Sequence, residues 1–166
     1  MDLYQELILE HSKRPVHAGL REPFDGQVHR VNTTCGDEVT LRVRLEGDRV
    51  VDVSYDALGC SISIAAASIL AEQITGDTVA HSMDVYEATK EMLTSRGTIA
   101  GNEDVIGDSV ALSGVSKYPA RVKCALLPWT AYTAALAESL PDDSAHEILD
   151  SPALNTSITH ATGGRP

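Results

Sequence analysis

The sequence predicts an α+β fold in which a three-stranded antiparallel sheet packs against several helices. Between residues 27 and 57, apolar and polar residues alternate as they do in half-buried strands, and tight turns separate the alternating runs. After residue 60, apolar residues recur at the three- and four-residue spacing of a helix face. A short antiparallel sheet leaves one apolar face uncovered, so we expect these helices to pack against it.

The chain begins with a short docking helix followed by a linker. The apolar residues of segment 1–13 lie at helical spacing, and Pro15 ends the run. Residues 14–25 contain prolines and glycine without a clear period, which is typical of a loop. The histidines of this region, His11 and His17, are interpreted as exposed or capping residues, with a ligand role as the alternative.

The three strands are expected to form a meander. A less regular strand lies near residues 27–34, and a hairpin spans residues 38–57. The alternation is clearest from Val39 to Leu45, and Gly47 and Asp48 supply the tight turn. One face of the meander is therefore apolar.

Helices follow the sheet. The first carries an apolar face from Ile62 to Ile74, with Ser61 as the expected N-cap and Gly76 at its C-terminal end. A second helix is predicted over about residues 82–95, opened by a serine. The glycine-rich stretch that follows is expected to hold one short helical turn, over Val105–Leu112.

The last helix is predicted to begin near Pro119, where proline is tolerated in the first turn, and to anchor Trp129 in the core. Pro128 falls inside this run. An interior proline lacks an amide donor and crowds the carbonyl four residues earlier, which here belongs to Cys124. We therefore expect either a kink at this point or a new helix that starts at Pro128.

Composition limits the classes of function. The length and a hydrophobic fraction of 43% predict one globular domain, over residues 1–140, and a flexible acidic and polar tail over residues 141–166. A net charge of −11 argues against nucleic-acid binding. No apolar run approaches the roughly 20 residues that cross a bilayer, and the start does not resemble a signal peptide. We therefore expect no membrane partner and a cytoplasmic location.

The three cysteines carry the candidate chemistry. An odd number cannot pair internally, and separated cysteines in a reducing compartment are more often metal ligands or reactive thiols. Cys35 and Asp37 fall in the turn between the first two strands, Cys60 directly precedes a helix, and Cys124 lies near the start of the last helix. Such loop and helix ends can meet at one edge of a sheet.

Each cysteine has a neighbourhood that can stabilise a thiolate. Cys60 faces the positive end of a helix dipole, and Arg121 stands one turn before Cys124, with Lys123 adjacent to that cysteine. Three thiolates and the Asp37 carboxylate form a tetrahedral set suited to Zn²⁺, in which the oxygen is the more replaceable ligand. From spacing alone, three unrelated core cysteines are an equally compatible interpretation.

Three motifs together resemble a known family. The segments Thr34-Cys35-Gly36-Asp37, Gly59-Cys60-Ser61-Ile62-Ser63 and Arg121-Val122-Lys123-Cys124, in this order and on this pattern of strands and helices, are similar to the U-type iron–sulfur cluster assembly proteins. Within that family the chain resembles the SufU branch. It has a long interval before its third cysteine, with an apparent insertion over about residues 97–118, and Lys123 stands where the IscU pattern has histidine.

This resemblance implies a SufU/IscU-like domain that holds zinc through Cys35, Asp37, Cys60 and Cys124. It also implies a partner, a pyridoxal-phosphate-dependent cysteine desulfurase of the SufS type, with Cys35 accepting the persulfide and Arg121 supporting a thiolate. The protein would then be a sulfur carrier and desulfurase activator rather than a stand-alone enzyme, passing sulfur to a downstream cluster scaffold or apo acceptor.

Two alternatives remain open at this point. In the first, the same ligands assemble a transient iron–sulfur cluster that is passed to apo acceptors. In the second, the zinc only holds the fold together.

Overall fold

The architecture is that of a three-stranded antiparallel sheet with helices packed against it, and the predicted fold class is confirmed. The computed structural model describes residues 2–140, so the predicted tail over residues 141–166 lies outside the described residues. The strands pair in the order β1-β2-β3 and are β1 (Gly26–Asn32), β2 (Asp37–Glu46) and β3 (Arg49–Leu58). The helical elements are α1 (Leu3–Lys13), α2 (Ser61–Ile74), α3 (Val79–Leu93), α4 (Glu103–Ile106), a 3₁₀ segment (Gly107–Lys117) and α5 (Pro119–Ser139).

The sheet has one apolar face, as the alternation predicted. Leu41 of β2 lies opposite Tyr55 of β3, and Val43 lies opposite Val53. All four side chains are buried in the main core, to which the apolar side chains of α2 and α5 contribute. Strand β2 is the central strand of the sheet. Asp37 is the first residue of that strand.

Helix α1 agrees with the predicted docking helix, and the two helices after the sheet begin at different residues from those predicted. Cys60, rather than Ser61, is the N-cap residue of α2, and its own side chain makes no capping hydrogen bond. Helix α3 begins at Val79 instead of near residue 82, because the Thr78 hydroxyl accepts a hydrogen bond from the His81 amide and caps the helix there.

The stretch between α3 and α5 contains more helix than the single turn predicted. It forms α4 and the 3₁₀ segment, and the side chains of Ile106 and Leu112 enter a second core cluster beside α2 and α3. Asn102 caps α4 by accepting a hydrogen bond from the Asp104 amide. The stretch therefore forms part of the packed domain.

Helix α5 is one helix that runs through Pro128, so neither a new helix start nor an interruption occurs there. The proline removes the amide that would bond to the Cys124 carbonyl, but the Ser63 hydroxyl of α2 lies 3.3 Å from that carbonyl oxygen. Burial of the next residue also holds the helix in place. Trp129, predicted as the anchor, is buried and stacks on Tyr86 with ring centroids 5.3 Å apart.

Between residues 2 and 140, no helix has both the length and the apolar character that crossing a membrane requires.

Candidate metal centre

The first candidate ligand lies in the turn that joins β1 to β2. The Asn32 carbonyl at the end of β1 accepts a hydrogen bond of 2.7 Å from the Gly36 amide, which closes the turn. Gly36 has φ +74°, a left-handed conformation that glycine adopts without steric cost. Cys35 lies within this turn and is exposed, whereas Asp37, two residues later, is only 1% exposed.

Asp37 lies at the centre of the site, and the start of α2 holds its carboxylate. Its Oδ1 accepts a hydrogen bond of 2.9 Å from the Cys60 backbone amide. Its Oδ2 accepts hydrogen bonds from Ser63 Oγ at 2.6 Å and Cys35 Sγ at 3.0 Å. Burial raises the pKa of the carboxyl group, but hydrogen bonds, the strongest from Cys124 and Ser63, outweigh this, so the pKa of Asp37 lies well below its ordinary value.

Gly59 makes this approach possible. It has φ +140°, and a Cβ built on it would lie 2.0 Å from Asp37 Oδ1 and 2.9 Å from Asp37 Cα. Any side chain at this position would displace the carboxylate from the α2 N-terminus. The following residue, Cys60, is half-buried, and its Sγ lies 3.4 Å from Asp37 Oδ2.

Cys124 supplies the most buried thiol. Its side chain is 1% exposed, and its Sγ lies 3.2 Å from Cys35 Sγ and 3.9 Å from Asn32 Nδ2. Burial, followed by hydrogen bonds with the Asp37 carboxylate and the neighbouring thiols, raises the pKa of Cys124 well above its usual range. A bound cation would reverse this direction, since metal-coordinated thiols are deprotonated.

The structure brings the predicted metal ligands together. The ligand atoms of Cys35, Asp37 and Cys124 all lie within 4.8 Å of one another. Cys60 does not belong to that closest set, but its sulfur contacts the same carboxylate oxygen as Cys35. Three sulfur atoms and a carboxylate oxygen suit zinc, and iron also binds thiolates. The donor set therefore fits the metal that the motifs suggested.

The two cations predicted to stabilise the thiolates lie outside this cluster. Arg121 and Lys123 are both exposed, and among residues 2–140 no hydrogen bond or ion pair joins either side chain to a cysteine. Arg121 lines a groove of about 850 Å³ between α1, the 3₁₀ segment and the start of α5. It therefore lies beside the site rather than within it.

Two side chains of the site were missed by the sequence reasoning. Ser63 was not among the predicted site residues, yet its buried hydroxyl contacts Asp37. Its position three residues after Cys60 places it on the same helix face, which is the signal that could have identified it. Asn32 is paired with Asp37 in the β1–β2 register, and only the tertiary fold brings its amide to Cys124.

A second group of potential ligands lies between α1, α2 and the 3₁₀ segment. It comprises His11, Glu72 and Asp108. Contrary to the expectation of an exposed or capping residue, His11 is 7% exposed, and its Nδ1 lies 2.7 Å from Ser68 Oγ. Its Nε2 lies 3.1 Å from Asp108 Oδ2, so both ring nitrogens already have protein partners. This group joins three elements of the fold.

The chain is similar to known proteins over most of the described residues. Residues 3–125 match the family described as NifU-like N terminal domain. The zinc-dependent sulfurtransferase SufU of Bacillus subtilis is 36% identical over 136 residues, covering 82% of this chain and 90% of the relative. The iron–sulfur cluster assembly scaffold protein IscU of Streptococcus pyogenes is 32% identical, covering 82% and 84%. The crystal structure of FiSufU from Fervidobacterium islandicum superposes with a TM-score of 0.73 at 35% identity, covering 79% of this chain and 94% of that one.

Proposed function

Because this chain belongs to the NifU-like N-terminal domain family, we propose that it serves iron–sulfur cluster assembly as a zinc-dependent sulfur acceptor. Its partner in this proposal is a pyridoxal-phosphate-dependent cysteine desulfurase of the SufS type. The observation that carries the proposal is the exposure of Cys35, a residue at the edge of a cluster whose other residues are buried or half-buried. One residue that carries a sulfur of the site is thus accessible to another protein.

The proposed zinc ligands are Cys35, Asp37, Cys60 and Cys124. Their support is the chemistry of the donor set, because three thiols contact one another or the same carboxylate. When bound, zinc would keep its thiol ligands deprotonated and protected from oxidation. The protein would supply the arrangement: the β1–β2 turn carries Cys35, and the starts of α2 and α5 carry the other two sulfurs.

The proposed transfer is a thiol–persulfide exchange at Cys35. The Cys35 thiolate attacks the terminal sulfur of a persulfide on the desulfurase cysteine, and a new S–S bond forms as the old one breaks. The desulfurase cysteine leaves as a thiolate, so the step requires no external oxidant or reductant. Exposure favours Cys35 over Cys124, whose sulfur is buried beneath the turn. Sulfur would then pass to a downstream cluster scaffold or apo acceptor.

Arg121 is proposed to act from the rim of the site. Its exposed guanidinium lies one helical turn before Cys124 and lines the neighbouring groove. From that position it can stabilise the anionic sulfur of an approaching persulfide rather than a resident thiolate. We place the reaction in the cytoplasm, a reducing compartment in which unpaired thiols such as these persist.

A desulfurase assay tests the sulfur-acceptor role. Purified protein should increase alanine production by a SufS-type desulfurase, and Cys35→Ala should abolish the increase. Thr34→Ala is the matched control, because it changes the adjacent turn residue and leaves all four proposed ligands in place. Equal desulfurase turnover with wild-type protein and with Cys35→Ala would contradict the proposal.

The second candidate is a scaffold on which an iron–sulfur cluster assembles. The same thiols favour it, since cysteine thiolates are the usual cluster ligands. Anaerobic addition of iron and sulfide to zinc-free protein should then give a cluster that moves to an apo acceptor. Two results together would favour the sulfur-acceptor role. The protein would form no cluster under these conditions, and the zinc-bound protein would increase desulfurase turnover.

A further inference from the structure

We propose that Ser63 is a positioning residue that holds the Asp37 carboxylate in the orientation in which it binds the metal. This inference rests on the proposed zinc site and specifies how its four ligands differ. It also replaces the expectation that the Asp37 oxygen is the more replaceable ligand. The evidence is the set of contacts around one carboxylate.

Both oxygens of Asp37 are held by the first turn of α2. Ser63 Oγ donates to Oδ2 at 2.6 Å, and the Cys60 amide donates to Oδ1 at 2.9 Å. Hydrogen bonds to a carboxylate are about twice as strong as those between neutral groups. The Ser63 side chain is 2% exposed and Asp37 is 1% exposed, so water cannot readily substitute for either bond. The carboxylate is therefore oriented before any ion arrives.

A carboxylate held in this way can still bind a metal. Two carboxylate oxygens offer about four lone-pair positions, and the two α2 donors occupy only two of them. The positions that remain on Oδ2 face Cys35 and Cys60, whose sulfurs lie 3.0 and 3.4 Å away. Ser63 thus orients the oxygen toward the thiols without itself being a ligand.

Pro128 also affects the surroundings of Ser63. Without the Pro128 amide, the Cys124 carbonyl has no helical donor, and its oxygen lies 3.3 Å from Ser63 Oγ. A hydroxyl carries one proton, and the shorter contact, to Asp37, is the stronger hydrogen bond. Ser63 Oγ therefore donates its proton to the Asp37 carboxylate on β2, while it lies beside the Cys124 carbonyl of α5.

The ligands consequently differ in how firmly they are held. Asp37 is a buried strand residue with two bonds to a helix start, and Cys124 is buried in α5. Cys35 is exposed within a short turn that one glycine closes. Asp37 is therefore held more firmly than Cys35.

The test measures zinc affinity of the full chain by competition with a chromophoric chelator. Loss of an outer hydrogen bond to a metal ligand typically costs about 10–100-fold in affinity, and we expect this from Ser63→Ala. Ser61→Ala is the control, since it removes an exposed hydroxyl two residues away on the same helix, and its affinity should match the wild type. Ser63→Thr keeps the hydroxyl and should restore most of the affinity.

Two further readouts separate positioning from a general loss of structure. The visible spectrum of Co²⁺-substituted Ser63→Ala should change in its ligand-field bands, because the oxygen ligand is no longer held. In an Asp37→Ala background, Ser63→Ala should cause no additional loss of zinc affinity. Urea unfolding of each metal-free variant shows whether the fold itself survives.

The outcomes are distinguishable from failure of the proposed function. Wild-type protein that binds no zinc would overturn the proposed zinc site. Wild-type protein that binds zinc, with Ser63→Ala equal to it in affinity and Co²⁺ spectrum, would overturn the positioning role alone. An equal loss from Ser63→Ala with and without Asp37 would also overturn that role.

Discussion

Replacing Gly59 with alanine should disrupt the metal centre by displacing Asp37. The new Cβ would lie 2.0 Å from Asp37 Oδ1, 2.7 Å from its Cγ and 2.9 Å from its Cα. The last of these is a backbone atom, so rotation of the side chain alone cannot remove the overlap. A non-glycine residue at φ +140° also carries about 1–3 kcal/mol of strain.

The expected destabilisation is the sum of two effects. Loss of a charge-assisted hydrogen bond from the Cys60 amide to Asp37 costs about 1.5–3 kcal/mol. Together with about 1–3 kcal/mol of backbone strain, Gly59→Ala should lower the free energy of unfolding by roughly 2.5–6 kcal/mol. Zinc affinity should fall by at least about 10-fold, because the carboxylate is no longer aligned with the thiols.

Gly47→Ala is the matched control for this prediction. Gly47 lies in the β2–β3 turn with φ +62°, and a Cβ there would meet no atom within 4 Å. It should show only the backbone cost of a left-handed residue, about 1–2 kcal/mol, with wild-type zinc affinity. Urea unfolding of the metal-free proteins and chelator competition supply the measurements. Equal destabilisation and equal zinc affinity in the two variants would refute the reasoning about Asp37.

The remaining predictions concern three other features. In metal-free protein, iodoacetamide should modify exposed Cys35 well before buried Cys124, as peptide mass mapping can show, and simultaneous modification would contradict the burial. Pro128→Ala should stabilise the fold by about 1 kcal/mol. Removing an interior proline gains about 3 kcal/mol relative to alanine, and losing two buried methylenes costs about 1.6 kcal/mol of that gain. A lower urea midpoint for the variant would contradict this prediction. The Asp77 hydrogen bond raises the pKa of His81 in the folded protein. This interaction therefore stabilises the fold fully at pH values below the His81 pKa of the unfolded chain, and the stabilisation is lost as pH rises through the His81 pKa of the folded protein. Asp77→Asn should lower that pKa in an NMR titration, and an unchanged pKa would exclude this cause.

Local patterns predicted the sheet and the positions of the ligands along the chain. Alternation from Val39 to Leu45 depends only on which face of a strand is buried, so it could be read without knowing the helices. The predicted ends of strands and helices likewise showed, from local sequence alone, that Cys35, Cys60 and Cys124 lie in a turn or near the start of a helix. What these patterns could not supply is the distance between elements, which the tertiary fold determines.

The course of α5 through Pro128 shows this limit most clearly. Judged within its own helix, the proline predicts a kink or a break. The hydroxyl that lies beside the Cys124 carbonyl belongs to Ser63, which is in a different helix, 65 positions before Pro128 in the sequence. Likewise, the exposed position of Arg121 follows from how α5 packs, and its proximity in sequence to Cys124 could not reveal it.

The graded exposure of the three sulfurs bears on whether the site can be used repeatedly. Cys124 is part of the packed face of α5 and Asp37 is attached to the start of α2, so neither can leave without disturbing the core. Cys35 belongs to a turn that contributes no side chain to either hydrophobic cluster of the described residues. If Cys35 is the sulfur acceptor that we propose, its movement out of the site and back requires no repacking. The same molecule could then load and unload sulfur many times while its fold, and the place to which Cys35 returns, remain unchanged.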